Sequence, residues 1–130
     1  MRRAAVAVVG AVLSVLLPGC ARACPAIGWA DGVEVDTSAF GEAIFVQVCV
    51  ENECSLAPDD DPERSTSTIW VNSSDGWDVS FMTGGPDAVR IRVFDLGGVL
   101  LGERDYDIDW TRSTDTCGGP STAPPIVLVP

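Results

Sequence analysis

The chain has 130 residues, and 8 arginines face 19 acidic residues with no lysine and no histidine, for a net charge of −11. That length suits one domain around one core, and the acidic balance excludes a surface that tracks phosphates, so nucleic acid is not an expected partner. Without histidine a serine or cysteine nucleophile lacks its usual base, which places a small hydrolase as a distant alternative behind binding roles.

The first segment reads as a targeting signal. Arg2 and Arg3 precede residues 4–17, which are 14 positions without a charge, the size of a signal-peptide apolar region and short of the about 20 needed to span a bilayer. Leu17-Pro18-Gly19-Cys20 then resembles the lipobox of bacterial lipoproteins, although Pro18 stands where that motif carries a small or weakly polar residue. The resemblance implies cleavage after residue 19, lipid on Cys20 and attachment at the outer face of the cell membrane. Ala21-Arg22-Ala23 before Cys24 is a competing A-x-A site that would release a soluble secreted protein, an inhibitor or effector, after removal of residues 1–23. The lipobox reading is favoured because its placement directly after the apolar region is the more specific signal. Residues 20–31 form a lead-in, and residues 32–130 form the folded domain. Beyond residue 19 six arginines and all 19 acids remain, a net charge of −13. Anionic headgroups repel such a domain, so membrane contact is expected only through the lipid.

Either cleavage leaves Cys24, Cys49, Cys54 and Cys117 to pair, and four cysteines allow three connectivities. A tight turn at Glu51-Asn52 would set Cys49 against Cys54 on paired strands, leaving Cys24 for Cys117 and a ring of over ninety residues. The alternative, Cys49 with Cys117, is the inter-sheet bridge of an immunoglobulin domain with Trp70 between the two in sequence, but Cys117 lies before Gly118-Gly119-Pro120 rather than in a strand. Export and the lack of C-x-x-C favour structural bridges over metal or redox chemistry.

Alternation of apolar and polar residues predicts strands at residues 32–36, 43–50, 54–56, 66–71 and 77–82, with a final short strand at 126–129. Residues 57–64, APDDDPER, read as a loop. The clearest element is a hairpin over residues 87–110: Val89, Ile91 and Val93 alternate with Arg90 and Arg92, and Tyr106, Ile108 and Trp110 alternate with aspartates. A two-residue type I′ turn at Gly97-Gly98 would set Leu96 against Val99, Arg92 against Glu103 and Arg90 against Asp105. A longer loop beginning at Asp95 is the competitor, and one form of it would oppose Arg90 to Arg104. About seven strands, turn signals every 8 to 12 residues or so, and no helical period beyond the signal predict an all-β protein, a single antiparallel β-sandwich. In strand pattern, and most closely in VFDLGGVLLGERDY, residues 24–130 resemble the small immunoglobulin-like or transthyretin-like sandwiches of exported bacterial proteins. With the lipobox, the whole chain resembles an uncharacterised small lipoprotein of a high-GC Gram-positive bacterium. The resemblance implies architecture alone.

Candidate sites are few. Asp59, Asp60 and Asp61 form a weak Ca²⁺ cluster, for which a solvated loop is the plainer reading. Asp105, Asp107 and Asp109 share one strand face, and the EF-hand pattern that D-x-D-x-D begins fails at Trp110 and Thr116. No cofactor is expected. Trp29 and Trp70 fall out of phase with the apolar faces and are candidate partner-binding residues, against the alternative that they cap open ends of the sandwich. The function expected is a non-catalytic, monomeric envelope domain that binds a protein or glycan partner at the cell surface through loops or a sheet edge.

Overall fold

The structure is a computed structural model and describes residues 23–25, 28–41 and 44–130. The signal segment and Cys20 lie outside these residues, as does Ala43 at the expected start of the second strand. Among the described residues eight strands follow in order: β1 Asp31–Asp36, β2 Ile44–Val50, β3 Glu53–Cys54, β4 Ile69–Asn72, β5 Trp77–Phe81, β6 Ala88–Asp95, β7 Leu100–Asp107 and β8 Ile126–Val127. They form two four-stranded sheets, one ordered β4-β5-β1-β8 and the other β3-β2-β6-β7. The fold is an all-β sandwich.

Alternation builds the core. Val33 and Val35 of β1, Val46 and Val48 of β2, Val79 and Phe81 of β5, and Val89, Ile91 and Val93 of β6 are all buried between the sheets. β-branched side chains suit this pleated, half-buried setting, and each fully buried one contributes about 1.5–3 kcal/mol relative to exposure. Gln47 is buried too. Its Nε2 donates to the Ser55 carbonyl, while Ser55 Oγ accepts from the Val48 amide, so β2 continues its polar pairing beyond β3.

Not every strand is antiparallel. β8 runs parallel to β1, with Val35 beside Ile126 and Asp36 beside Val127, and the Leu128 amide donates to the Asp36 carbonyl at 2.9 Å. The reason is the path of the chain. β7 ends level with the start of β6, with Asp107 opposite Ala88, and residues 108–121 stay at that end, where Arg112 and Ser121 bind Asp31, so β8 departs in the direction of β1. A parallel neighbour requires such a long connection.

The long hairpin corrects one expectation. Asp95, not Leu96, closes the loop: its amide donates to the Val99 carbonyl and its carbonyl accepts from the Gly98 amide. Leu96, Gly97 and Gly98 form a three-residue loop with positive φ at Gly98 (82°), where a type I′ turn needs it at two residues. Asp95 Oδ1 stabilises this loop by accepting from the amides of Gly97 and Val99 at 2.9 and 2.8 Å. The one-residue change is undone at once. Val93 pairs with Gly102 but Phe94 pairs with Leu100, so Leu101 is an inserted bulge residue. Below it Arg92 faces Glu103 and Arg90 faces Asp105, and the Arg90 guanidinium grips Asp105 at 2.7 and 3.2 Å.

Cys49 is bonded to Cys54 across the β2–β3 register, and Cys24 is bonded to Cys117. The intervening turn places Glu51 at φ 51°. These bridges belong to an oxidising, extracytoplasmic setting. Among the described residues no helix is long and apolar enough to cross a membrane.

Candidate functional site

Two regions are organised by side chains other than the central valines. The first is at the end of the sandwich where β1 begins. Asp31 shares the parity of Val33 and Val35 and is therefore carried inward, 7% exposed. Its Oδ1 accepts from the Ser121 amide at 2.7 Å, and its Oδ2 accepts from the Gly85 amide at 2.7 Å and from Arg112 at 3.1 Å. Burial alone raises this carboxyl's pKa, but the Gly85 and Ser121 amides, the Ser121 hydroxyl and the Arg112 charge together outweigh it and hold the group below its ordinary value of 3.8. Arg112 lies over the Trp110 ring at 5.5 Å and also donates to the Gly85 carbonyl. Trp110 donates to the Pro86 carbonyl at 2.7 Å and sits directly over Gly85, where no Cβ would fit. One carboxylate thus joins β1, the β5–β6 loop and the long C-terminal connection. Among the described residues no buried side-chain nitrogen or oxygen lacks a partner, and the satisfied Asp31 carboxylate marks a structural junction.

The second region is the flank of the sandwich along β4. Between Cys54 and Ile69 the chain makes a strap that leaves β3, passes a short 3-10 turn at Pro62–Arg64 and returns to open β4. Beneath it is a cavity of about 360 Å³. Phe45, Trp70 and Trp77 supply aromatic walls, and Val46, Leu56 and Ile69 supply aliphatic ones. Phe45 and Trp77 meet edge to face with ring centroids 6.2 Å apart. Ser55, Ser65, Ser67 and Ser73 add hydroxyls to the lining. Three of these hydroxyls are already engaged: Ser55 Oγ accepts from Val48, Ser65 Oγ accepts from the Ser67 amide, and Ser67 Oγ donates toward Glu53 and the Ile69 carbonyl. The strap is fastened by Glu53. Its Oε1 accepts from the amide and hydroxyl of Thr68, and these bonds, the backbone one foremost, lower its pKa from the ordinary 4.5.

Trp70 belongs to both sides of this flank. It lines the cavity and also an open groove on the outer sheet face with Ala30, Ser80 and Met82. In register Trp70 stands opposite Ser80, which stands opposite Gly32, so a bulky indole borders a floor of small residues. Trp70 is 65% exposed and Met82 53%. Trp29 lines neither space. Its ring lies against Gly118, beside the Cys24–Cys117 bridge.

Two of the three candidate aspartates of the strap, Asp60 and Asp61, are occupied locally. Asp60 Oδ2 accepts from the Ala57 amide at 2.7 Å, and Asp61 Oδ1 accepts from Glu63 while its other oxygen pairs with Arg64 at 3.3 Å. Among the described residues no group of three or more His, Cys, Asp or Glu is placed to hold a metal ion.

The cavity and the Asp31 junction are both absent from the sequence reading above. Asp31 carried a signal, since its parity matched Val33 and Val35. For the cavity the sequence offered only an unusually long connection with apolar Leu56 at its start. Comparison of the chain with protein-family models, with curated proteins and with solved structures finds no match.

Proposed function

We propose that this chain is an exported, non-catalytic binding domain of a bacterial cell envelope, an immunoglobulin-like sandwich held to the membrane through lipid on Cys20, and that it engages a protein or glycan partner with the flank along β4. The observation that carries this reading is Trp70, an indole 65% exposed on a sheet edge, flanked by Met82 and a floor of small residues. Tryptophan at the centre of a patch, with flexible apolar methionine beside it, is the residue pair that interfaces enrich. An anchor at Cys20 fits this geometry. Cys20 precedes Cys24 by four residues, a reach of at most about 14 Å, and Cys24 is tied to the Asp31 end of the sandwich through Cys117. That end would face the membrane and leave the β4 flank open to the side.

The test is saturable binding of the labelled native protein to cell-envelope fractions, compared with Trp70→Ala and Met82→Ser. Loss of binding in both variants at unchanged melting temperature supports the reading, and equal binding by all three overturns it. Intact mass decides the anchor separately: Cys20 as first residue with acyl chains supports it, and a lipid-free protein beginning at Cys24 in the medium replaces it with the secreted alternative.

A further inference from the structure

We infer that the cavity under the strap is a binding site for a small amphiphile, taking its hydrocarbon portion and refusing an anionic head. About 360 Å³ lies in the lower range of small-molecule sites, about 300 to 1,000 Å³. At about 30 Å³ per water it has room for about a dozen water-sized groups. Among the described residues that line it, none carries a charge, so a charged group placed inside would be desolvated without a counter-ion. Three of the four serine hydroxyls already make a bond to backbone or to Glu53, but Ser55 and Ser65 accept there and so keep an O–H donor for an uncharged polar head. The larger part of the lining is aromatic and aliphatic surface.

The surroundings select further. The strap carries Asp59, Asp60, Asp61 and Glu63 against Arg64 alone, with Glu53 at its fastening, in a chain of net charge −11. Pro62 and Ser65 of this net-negative strap line the cavity, so a carboxylate or phosphate head leaving it would enter an unfavourable field, whereas a hydroxyl or other uncharged head would not. The site therefore suits an alcohol-like or similarly uncharged amphiphile with a short chain or ring. This inference goes beyond the partner reading and does not depend on it, since the cavity shares only Trp70 and Val71 with the groove beside Met82.

The experiment uses native protein with its disulfides intact and N-phenyl-1-naphthylamine, an uncharged apolar fluorophore, as the probe. Expected are saturable one-to-one binding, displacement by 1-decanol, and displacement by decanoate at least tenfold weaker. Ser73→Phe, which fills the mouth from an exposed position, is expected to weaken probe binding at least tenfold, while Met82→Ser leaves it unchanged. Ser65→Phe on the strap repeats the block should Ser73→Phe fail to fold. The inference is overturned by the absence of saturable binding, by decanoate competing as well as decanol, or by binding that both blocking variants retain and Leu96→Ser at the hairpin tip removes. Probe binding without envelope binding would retain the cavity and discard the partner reading; envelope binding without probe binding would do the reverse.

Discussion

The Asp31 end and the β4 flank are built from opposite materials. At the Asp31 end a buried carboxylate is matched by two amides and a guanidinium, and Trp110 is fixed by Pro86, Gly85, Phe81 and Arg112. Along the flank a tryptophan stands largely in solvent and an apolar cavity remains open. Satisfied polar groups in a dry setting specify one arrangement, because any loss leaves a buried partner without a bond. Exposed aromatic surface next to a void adds little to stability and is suited to contact with something else. Changes at the first region should therefore cost stability and spare binding, and changes at the second should do the reverse.

The largest expected effect falls on the bridge that secures the Asp31 end. Replacing Cys24 and Cys117 by serine reopens a loop with a sequence separation of 93 and is expected to lower unfolding free energy by about 4–5 kcal/mol on the chain-entropy model. Urea denaturation at matched pH reads this. Asp31→Ala comes next, at about 2–4 kcal/mol, because the amides of Gly85 and Ser121 lose their acceptor in a buried site. Its pH signature is specific. The folded-state pKa is lowered, so the stabilisation is complete above the ordinary value of 3.8 and disappears as pH falls through the folded-state value. Wild type should thus lose stability on acidification below about pH 4 more steeply than Asp31→Asn, and parallel pH profiles for the two would break the assignment.

Smaller effects sharpen the contrast. Gly85→Ala pushes a methyl into the Trp110 indole and is expected to cost about 1–3 kcal/mol, as overpacking does, with a shift in tryptophan emission. A double-mutant cycle on Arg90 and Asp105, a half-exposed pair on the long hairpin, should give a coupling of about 0.2–1 kcal/mol. Trp70→Ala should change stability by no more than about 0.5 kcal/mol. A loss of several kcal/mol there would mean that Trp70 belongs to the core, and the division between the two regions would fail.

Much of the architecture was legible because it follows from period two. The parity of Val33, Val46 and Ile91 placed them inside, and opposite charges on Arg90, Arg92, Glu103 and Asp105 identified the register of the hairpin arms. The turn itself was misread. Two glycines suggest a two-residue loop, but the Asp95 side chain offers acceptors that favour a three-residue one, and the Leu101 bulge then restores the register. Alternation is blind to such compensation. The direction of β8 was equally hidden, since it depends on where residues 108–121 carry the chain rather than on any local pattern. Trp70 was identified as out of phase, yet its neighbours across the strap come from Phe45, Leu56 and Trp77, brought together only by long-range packing. A cavity has no sequence period.

The most direct measurement is an amide and indole NMR map of the native protein titrated with 1-decanol. Expected are shifts confined to residues 45–46, 55–56, 62–73 and the Trp77 indole, with Gly85, Trp110 and Ser121 unmoved. Shifts centred on Leu96–Leu101 or on the Asp31 end would contradict the assignment of binding to the β4 flank.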